Sequence, residues 1–137
     1  MKIVVTSHGS LCEGILESYH MLAGQNVDLI SIKLGNDDSE YKKEINDIYE
    51  KYKEQGILFL CDIVSGTPYN ECYKLFLNDN VNIRVVSGLN LAMLLETGLA
   101  LPLTNDLDAL AGDAIYAAKQ SITLAKDIEE SNEEIDF

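Results

Sequence analysis

The sequence predicts a single-domain α/β fold: a doubly wound sheet of four parallel strands, ordered 2-1-3-4, with helices on both faces. Three observations predict it. Short apolar runs recur along the chain, centred on residues 2–7, 27–32, 57–61 and 81–86. Segments with helical periodicity separate them. Each interval is long enough for the helical crossover that parallel strands require.

Residues 2–7 are the first strand, built on Ile3-Val4-Val5. A continuous apolar run of this kind suits a strand covered on both faces. From Gly9 to Gly14 the chain turns into a helix that continues to about Ala23, where Gly24-Gln25-Asn26 stops it. Residues 27–32 alternate in part and suit a second, less buried strand. After the loop Gly35-Asn36-Asp37-Asp38, Ser39 is the expected cap of a helix over 40–55. Tyr41, Ile45, Ile48 and Tyr52 recur there at spacings of three and four, giving one apolar face. Residues 57–61 are the third strand. A helix follows over 69–77, with Pro68 near its first position. Residues 81–86 are the fourth strand, and Ser87-Gly88-Leu89-Asn90 leads to a helix over 91–99, with Asn90 as its expected cap. Pro102 breaks the pattern. The last helix is expected over 106–125, with Leu107, Leu110, Ala114 and Ala117 on one face. Residues 1–125 thus form the domain, and 126–137 an acidic tail. Ile135 and Phe137 allow that tail to add an antiparallel edge strand.

The chain has 137 residues and a net charge of -13. The stretch from Lys126 to Phe137 holds six acids and one lysine, so -5 of that charge lies in the tail and -8 in the body. Such a surface argues against nucleic acid, whose partners need a basic footprint, and favours a partner with a basic docking face. No apolar stretch reaches the roughly 18 residues of a membrane span, and nothing resembles a secretory signal. A cytoplasmic location is expected. Cys12, Cys61 and Cys72 form no CxxC pair and no disulfide framework, and are expected to act as small core residues.

His8 is the leading candidate for chemistry. It follows the first strand in Thr6-Ser7-His8-Gly9-Ser10, where open α/β sheets carry their sites. Gly9 permits close approach of the backbone, and Ser7, Ser10 and the next helix N-terminus offer hydroxyls and N–H groups suited to an anion. Asp62 ends the third strand. If the two strands are neighbours, its carboxylate can accept the proton of one imidazole nitrogen and leave the other nucleophilic. Ser65-Gly66-Thr67-Pro68 then supplies a tight turn, a hydroxyl and helix-start amides able to bind phosphoryl oxygens. Ser87 occupies the corresponding loop after strand four. No Walker loop, GxGxxG or GxSxG motif occurs. His20 lies too far down its helix to join His8, so no metal site is expected.

These residues closely resemble the mannose-type enzyme IIA domain of the bacterial sugar phosphotransferase system. Three ordered blocks carry the resemblance: Thr6-Ser7-His8-Gly9; the strand ending in Asp62 with Gly66-Thr67-Pro68-Tyr69-Asn70; and Gly88-Leu89-Asn90 with Met93-Leu94 and Glu96. Ser65 stands where the family commonly has a second glycine, and Ala92 where it often has proline. The resemblance implies that His8 accepts a phosphoryl group, that Asp62 orients it, and that Thr67 lies beside the group. Gly9, Ser10, Ser65, Gly66 and Ser87 would line the site. It further implies a histidine-containing phosphocarrier protein as donor and an enzyme IIB component as acceptor. A sugar permease of IIC and IID components would stand downstream at the membrane, and the protein would form a homodimer. No cofactor is implied, because the donor is already a phosphoramidate. A dihydroxyacetone kinase phosphotransfer subunit shares the fold and the early histidine, but the Gly-Thr-Pro-Tyr-Asn loop favours the mannose type. A regulatory domain phosphorylated without onward transfer is a reading of another class, and a small hydrolase using His8 and Asp62 lacks a serine nucleophile.

Overall fold

In the computed structural model the described residues are 1–126. The acidic tail beyond them, with the edge strand expected from Ile135 and Phe137, lies outside the described residues. The elements are β1 (Lys2–His8), α1 (Leu11–Ala23), β2 (Leu29–Leu34), α2 (Asp38–Tyr52), β3 (Ile57–Cys61), α3 (Thr67–Asn78), β4 (Ile83–Ser87), α4 (Leu91–Ala100) and α5 (Leu107–Gln120). Short 3-10 turns follow α2 and α4.

All four strands are parallel, in the order β2-β1-β3-β4. The expected order is therefore found. β3 is buried along its whole length, as its unbroken apolar run requires. Alternate side chains feed two core layers. Ile3, Val5, Leu58 and Leu60 pack with Tyr19, Met93, Leu94 and Leu110 under α1, α4 and α5. Val4, Phe59 and Ile83 pack with Tyr41, Ile45, Cys72 and Leu75 under α2 and α3. Burial of two complete layers is the main source of stability in such a sheet.

Several boundaries differ from expectation by a few residues, and four of the differences have a clear local reason. β2 begins at Leu29, because Val27 is 88% exposed and Asn26 Oδ1 accepts the Asp28 N–H to form a turn. β4 begins at Ile83, since Asp79 Oδ1 holds the Asn82 N–H at 3.2 Å and Val81 points to solvent. The cap of α2 is Asp37, whose Oδ1 accepts from Ser39 N and Glu40 N; Ser39 lies inside the helix. α5 ends at Gln120, with Ser121 Oγ turned back onto the Ala118 carbonyl. Exposed, β-branched Ile122 and Thr123 follow, without the buried face that would extend the helix. Asn90 caps α4 as expected, its Oδ1 accepting the Met93 N–H at 2.9 Å.

Candidate functional site

The parallel register aligns Thr6 of β1 with Cys61 of β3, and Cys61 with Ser87 of β4. His8, Asp62 and Ser87 therefore share the C-terminal edge of the sheet. His8 is the last residue of β1, and its imidazole is 47% exposed. The Asp62 side chain is only 9% exposed. One carboxylate oxygen, Oδ2, lies 2.8 Å from His8 Nδ1 and also accepts the His8 main-chain N–H at 2.9 Å. The other, Oδ1, accepts the Ile63 N–H at 2.9 Å.

These bonds determine the charge state. Burial raises the Asp62 pKa, but hydrogen bonds from the His8 main chain, the His8 ring and the Ile63 amide outweigh it, and the carboxyl lies below its ordinary value. Asp62 is ionised near neutral pH, and an ionised carboxylate only accepts hydrogen bonds. The proton between them therefore resides on His8 Nδ1. In the neutral ring Nε2 carries the free lone pair.

Nε2 faces the start of α3. An ideal Cβ built on Gly66 would lie 2.6 Å from His8 Cε1 and 3.1 Å from Nε2. Only a residue without a side chain fits there while the ring keeps this position. Gly66 is also the N-cap of α3 and offers no capping side chain. The Thr67 and Tyr69 N–H groups belong to the first turn and have no intrahelical carbonyl to meet, while Pro68 has no N–H. The loop before them is strained: Ser65 has φ +65°, a left-handed conformation that favours glycine. It is the position where the resemblance gives a second glycine.

The remaining candidates are placed as follows. Thr67 is the first residue of α3, next to Gly66, without a hydrogen bond to His8 or Asp62; it lines a cleft shared with Lys42, Asn70 and Lys74. Gly9 has φ +63° and donates its N–H to the Leu34 carbonyl at 2.8 Å, closing β1 onto β2. Ser10 is exposed at the N-cap position of α1 but makes no cap bond. Ser7, expected to offer a hydroxyl to an anion, is fully buried and bonded within the turn. Ser87 is half-buried at the end of β4.

With Ser87, Gly88 forms the loop after strand four that the sequence offers as lining the site. Its φ is +89°, and its N–H reaches the Asp62 carbonyl at 3.2 Å, while Leu89 N–H reaches Cys61 O at 2.9 Å. The β4 loop thus holds the main chain that carries Asp62. The Ser-Gly turn was the available signal, but the tie itself depends on β3 and β4 being neighbours.

The Cys12 thiol is fully buried and burial pushes its pKa up, so it is no rival nucleophile. His20 packs edge-on against Tyr19, and its buried Nε2 has no partner among the described residues. Among those residues no group of three or more His, Cys, Asp or Glu could hold a metal ion. No helix among them is long and apolar enough to cross a membrane.

An α/β domain with an aspartate-held histidine at its strand ends is the class of protein these observations define. A family model described as the fructose IIA component of the sugar phosphotransferase system (PTS) matches residues 2–115, and the chain belongs to that mannose-type EIIA family. The chain is 27% identical to the fructose-specific EIIA component of Bacillus subtilis (strain 168), covering 92% of each chain. It is 28% identical to the mannose-specific EIIAB component of Escherichia coli (strain K12) over 92% of its own residues, and spans 40% of that relative's length. Among solved structures, a phosphotransferase system component EIIA from Streptococcus agalactiae superposes with a TM-score of 0.84 at 29% identity, covering 92% of this chain and 98% of the other. A mannose/sorbose-specific IIA subunit from Enterococcus faecalis gives 0.77 at 27% identity, covering 90% and 92%.

Proposed function

We propose that this chain carries a phosphoryl group on His8 during sugar uptake, taking it from a histidine-containing phosphocarrier protein and passing it to an enzyme IIB component. The observation that carries this reading is the His8–Asp62 pair: Nδ1–H is held at 2.8 Å, and the free Nε2 faces uncapped helix-start amides across a glycine. Membership of the EIIA family supports it.

In this mechanism the donor is a phosphohistidine whose ring is protonated on its second nitrogen. The Nε2 lone pair of His8 attacks phosphorus in line, the donor P–N bond breaks, and the donor ring leaves neutral with the electron pair. The new phosphoimidazolium keeps its proton on Nδ1, where the Asp62 carboxylate offsets its positive charge. The amides of Thr67 and Tyr69, with the Thr67 hydroxyl, are suited to the charge on the equatorial oxygens. Gly9, Ser10, Ser65 and Ser87 line the approach. The reverse sequence delivers the group to IIB, which passes it finally to sugar entering through a permease of IIC and IID components. The chain works in the cytoplasm, recruited transiently to that permease, and pairs as a homodimer. It needs no metal or nucleotide, since the donor bond is already activated.

Incubation with enzyme I, the phosphocarrier protein and phosphoenolpyruvate tests the reading. One acid-labile, base-stable phosphoryl group per chain is expected, and none on a folded His8→Ala variant. Unchanged labelling of that variant would overturn the assignment. Light scattering of the full chain, and of a chain ending at Ala125, tests pairing and whether the tail contributes to it; a full-length monomer at micromolar concentration would remove the homodimer.

A further inference from the structure

Ser7 lies directly before the candidate nucleophile, on β1, and is fully buried. Its hydroxyl has two partners. It donates to the Gly9 carbonyl at 2.8 Å and accepts the Cys12 N–H at 2.9 Å. Cys12 is the second residue of α1. Ser10 occupies the capping position and caps nothing, so the first turn of α1 is held by a hydroxyl from inside the strand. The segment His8-Gly9-Ser10-Leu11 is therefore bridged by one buried side chain. Gly9 provides the left-handed turn within it, and its N–H binds Leu34 O. These bonds flank His8 on its C-terminal side, and its own N–H is held by Asp62.

That geometry has a chemical consequence. Asp62 Oδ2 receives two donors from one residue, the His8 main-chain N–H at 2.9 Å and Nδ1 at 2.8 Å. Both bonds form only while the peptide before His8 is oriented toward β3. The clearance at Gly66 is equally narrow, since its Cα approaches the ring too closely for any side chain. A small rotation of the Ser7–Gly9 segment would lengthen the Nδ1 bond or drive Cε1 into the α3 start. We propose that Ser7 is a positioning residue for phosphoryl transfer: its buried hydroxyl locks the turn between β1 and α1, so that His8 meets Asp62 through main chain and ring together.

The inference rests on the reading of His8 as phosphoryl acceptor, and its test separates the two. The imidazole nitrogen resonances of His8 report its tautomer without any phosphoryl donor, and the sequence holds only one other histidine to assign. Three variants are compared with the wild type. Ser7→Ala removes both bonds. Ser7→Thr keeps the hydroxyl. Ile45→Val lowers stability in the other core layer, beneath α2, and leaves the turn intact.

Ser7→Ala is expected to mix the His8 tautomers and to slow single-turnover acceptance about 10- to 100-fold at saturating donor, the usual scale for lost orientation of a reacting group. The donor concentration at half-maximal rate should stay within about twofold. Ser7→Thr should restore most of the rate. Ile45→Val should lower the melting temperature and leave tautomer and rate unchanged. Should Ser7→Ala melt earlier but keep the wild-type tautomer and rate, the hydroxyl only stabilises the fold and the inference fails. An equal loss of rate in Ile45→Val would fail it too. If the wild type itself takes no phosphoryl group while Ser7→Ala still disturbs the tautomer, the assignment of function fails and the positioning role stands.

Discussion

Gly66 and His8 are in contact through an absent side chain: a Cβ on Gly66 would lie 2.6 Å from the imidazole Cε1 and 3.1 Å from Nε2. The proposed nucleophile, Nε2, and the helix start that would receive the phosphoryl oxygens can lie this close only because that methyl is missing. The first prediction follows directly. Gly66→Ala should fold, since its φ of -129° is open to any residue. It should lose phosphoryl acceptance by at least about 100-fold, the scale of a displacement near 1 Å at a reacting centre. Labelling from a phosphorylated carrier, beside circular dichroism, checks both halves. Wild-type labelling of Gly66→Ala would mean that the ring moves aside freely.

Asp62 links the proposed function to acid stability. Its pKa is lowered in the fold, because the bonds from His8 and Ile63 outweigh the cost of burial. A carboxyl depressed on folding stabilises the native state fully above its unfolded value of about 3.9 and progressively less as pH falls through the native value. Asp62→Ala should therefore be less stable than wild type at pH 7, and the difference should shrink below about pH 4. Urea denaturation at the two pH values measures this. A gap that widened in acid would reverse the sign of the shift. The same variant should accept phosphoryl groups about 10- to 100-fold more slowly, since it loses the partner that holds the proton on Nδ1.

Ser65 is the one non-glycine residue with positive φ among the described residues, at +65°. The left-handed conformation costs an L-residue about 1–2 kcal/mol, and glycine returns part of this as chain entropy, about 0.5–1 kcal/mol. Ser65→Gly should stabilise the protein by about 0.5–1 kcal/mol in a urea titration. A loss of stability would mean that the serine hydroxyl holds the loop.

How much of this was legible depended on whether a feature is local. β3 and the site residue at its end could be read directly, since a five-residue apolar run closed by Asp62 has few other meanings. The meeting of His8 and Asp62 followed from parallel order alone. Capping was misjudged at α2, where Asp37 takes the role expected of Ser39. At α1 no cap was foreseen, and Ser7 reaches five residues ahead to hold the first turn. No short-range pattern encodes such a reach. The ends of β2 and β4 were set too early because Val27 and Val81 have strand character, yet both lie in turns closed by Asn26 and Asp79. The approach of Gly66 to the imidazole was invisible, because it depends on the path of residues 62–66 back toward β1.

The last prediction concerns the seam between α1 and α4, away from the site. Gly98 lies in the last turns of α4, and a Cβ there would fall 2.5 Å from Tyr19 Cε2 and 2.7 Å from its Cζ and Oη. Tyr19 is only 2% exposed, so its ring cannot swing into solvent. Asn26 closes the seam, its Nδ2 reaching the Gly98 carbonyl at 3.3 Å and the Tyr19 hydroxyl at 3.4 Å. On helix propensity alone, Gly98→Ala would stabilise by about 1 kcal/mol. Overpacking against a fixed ring costs about 1–3 kcal/mol and works the other way. Contact should win, because the added methyl would lie well inside van der Waals distance of the ring. Gly98→Ala should therefore lower the unfolding free energy, and the loss should be smaller in a Tyr19→Leu background, where the clash is gone. A double-mutant cycle by urea denaturation reads that coupling. If Gly98→Ala raised stability in both backgrounds, the close approach of α1 and α4 would not be the reason for glycine at this position.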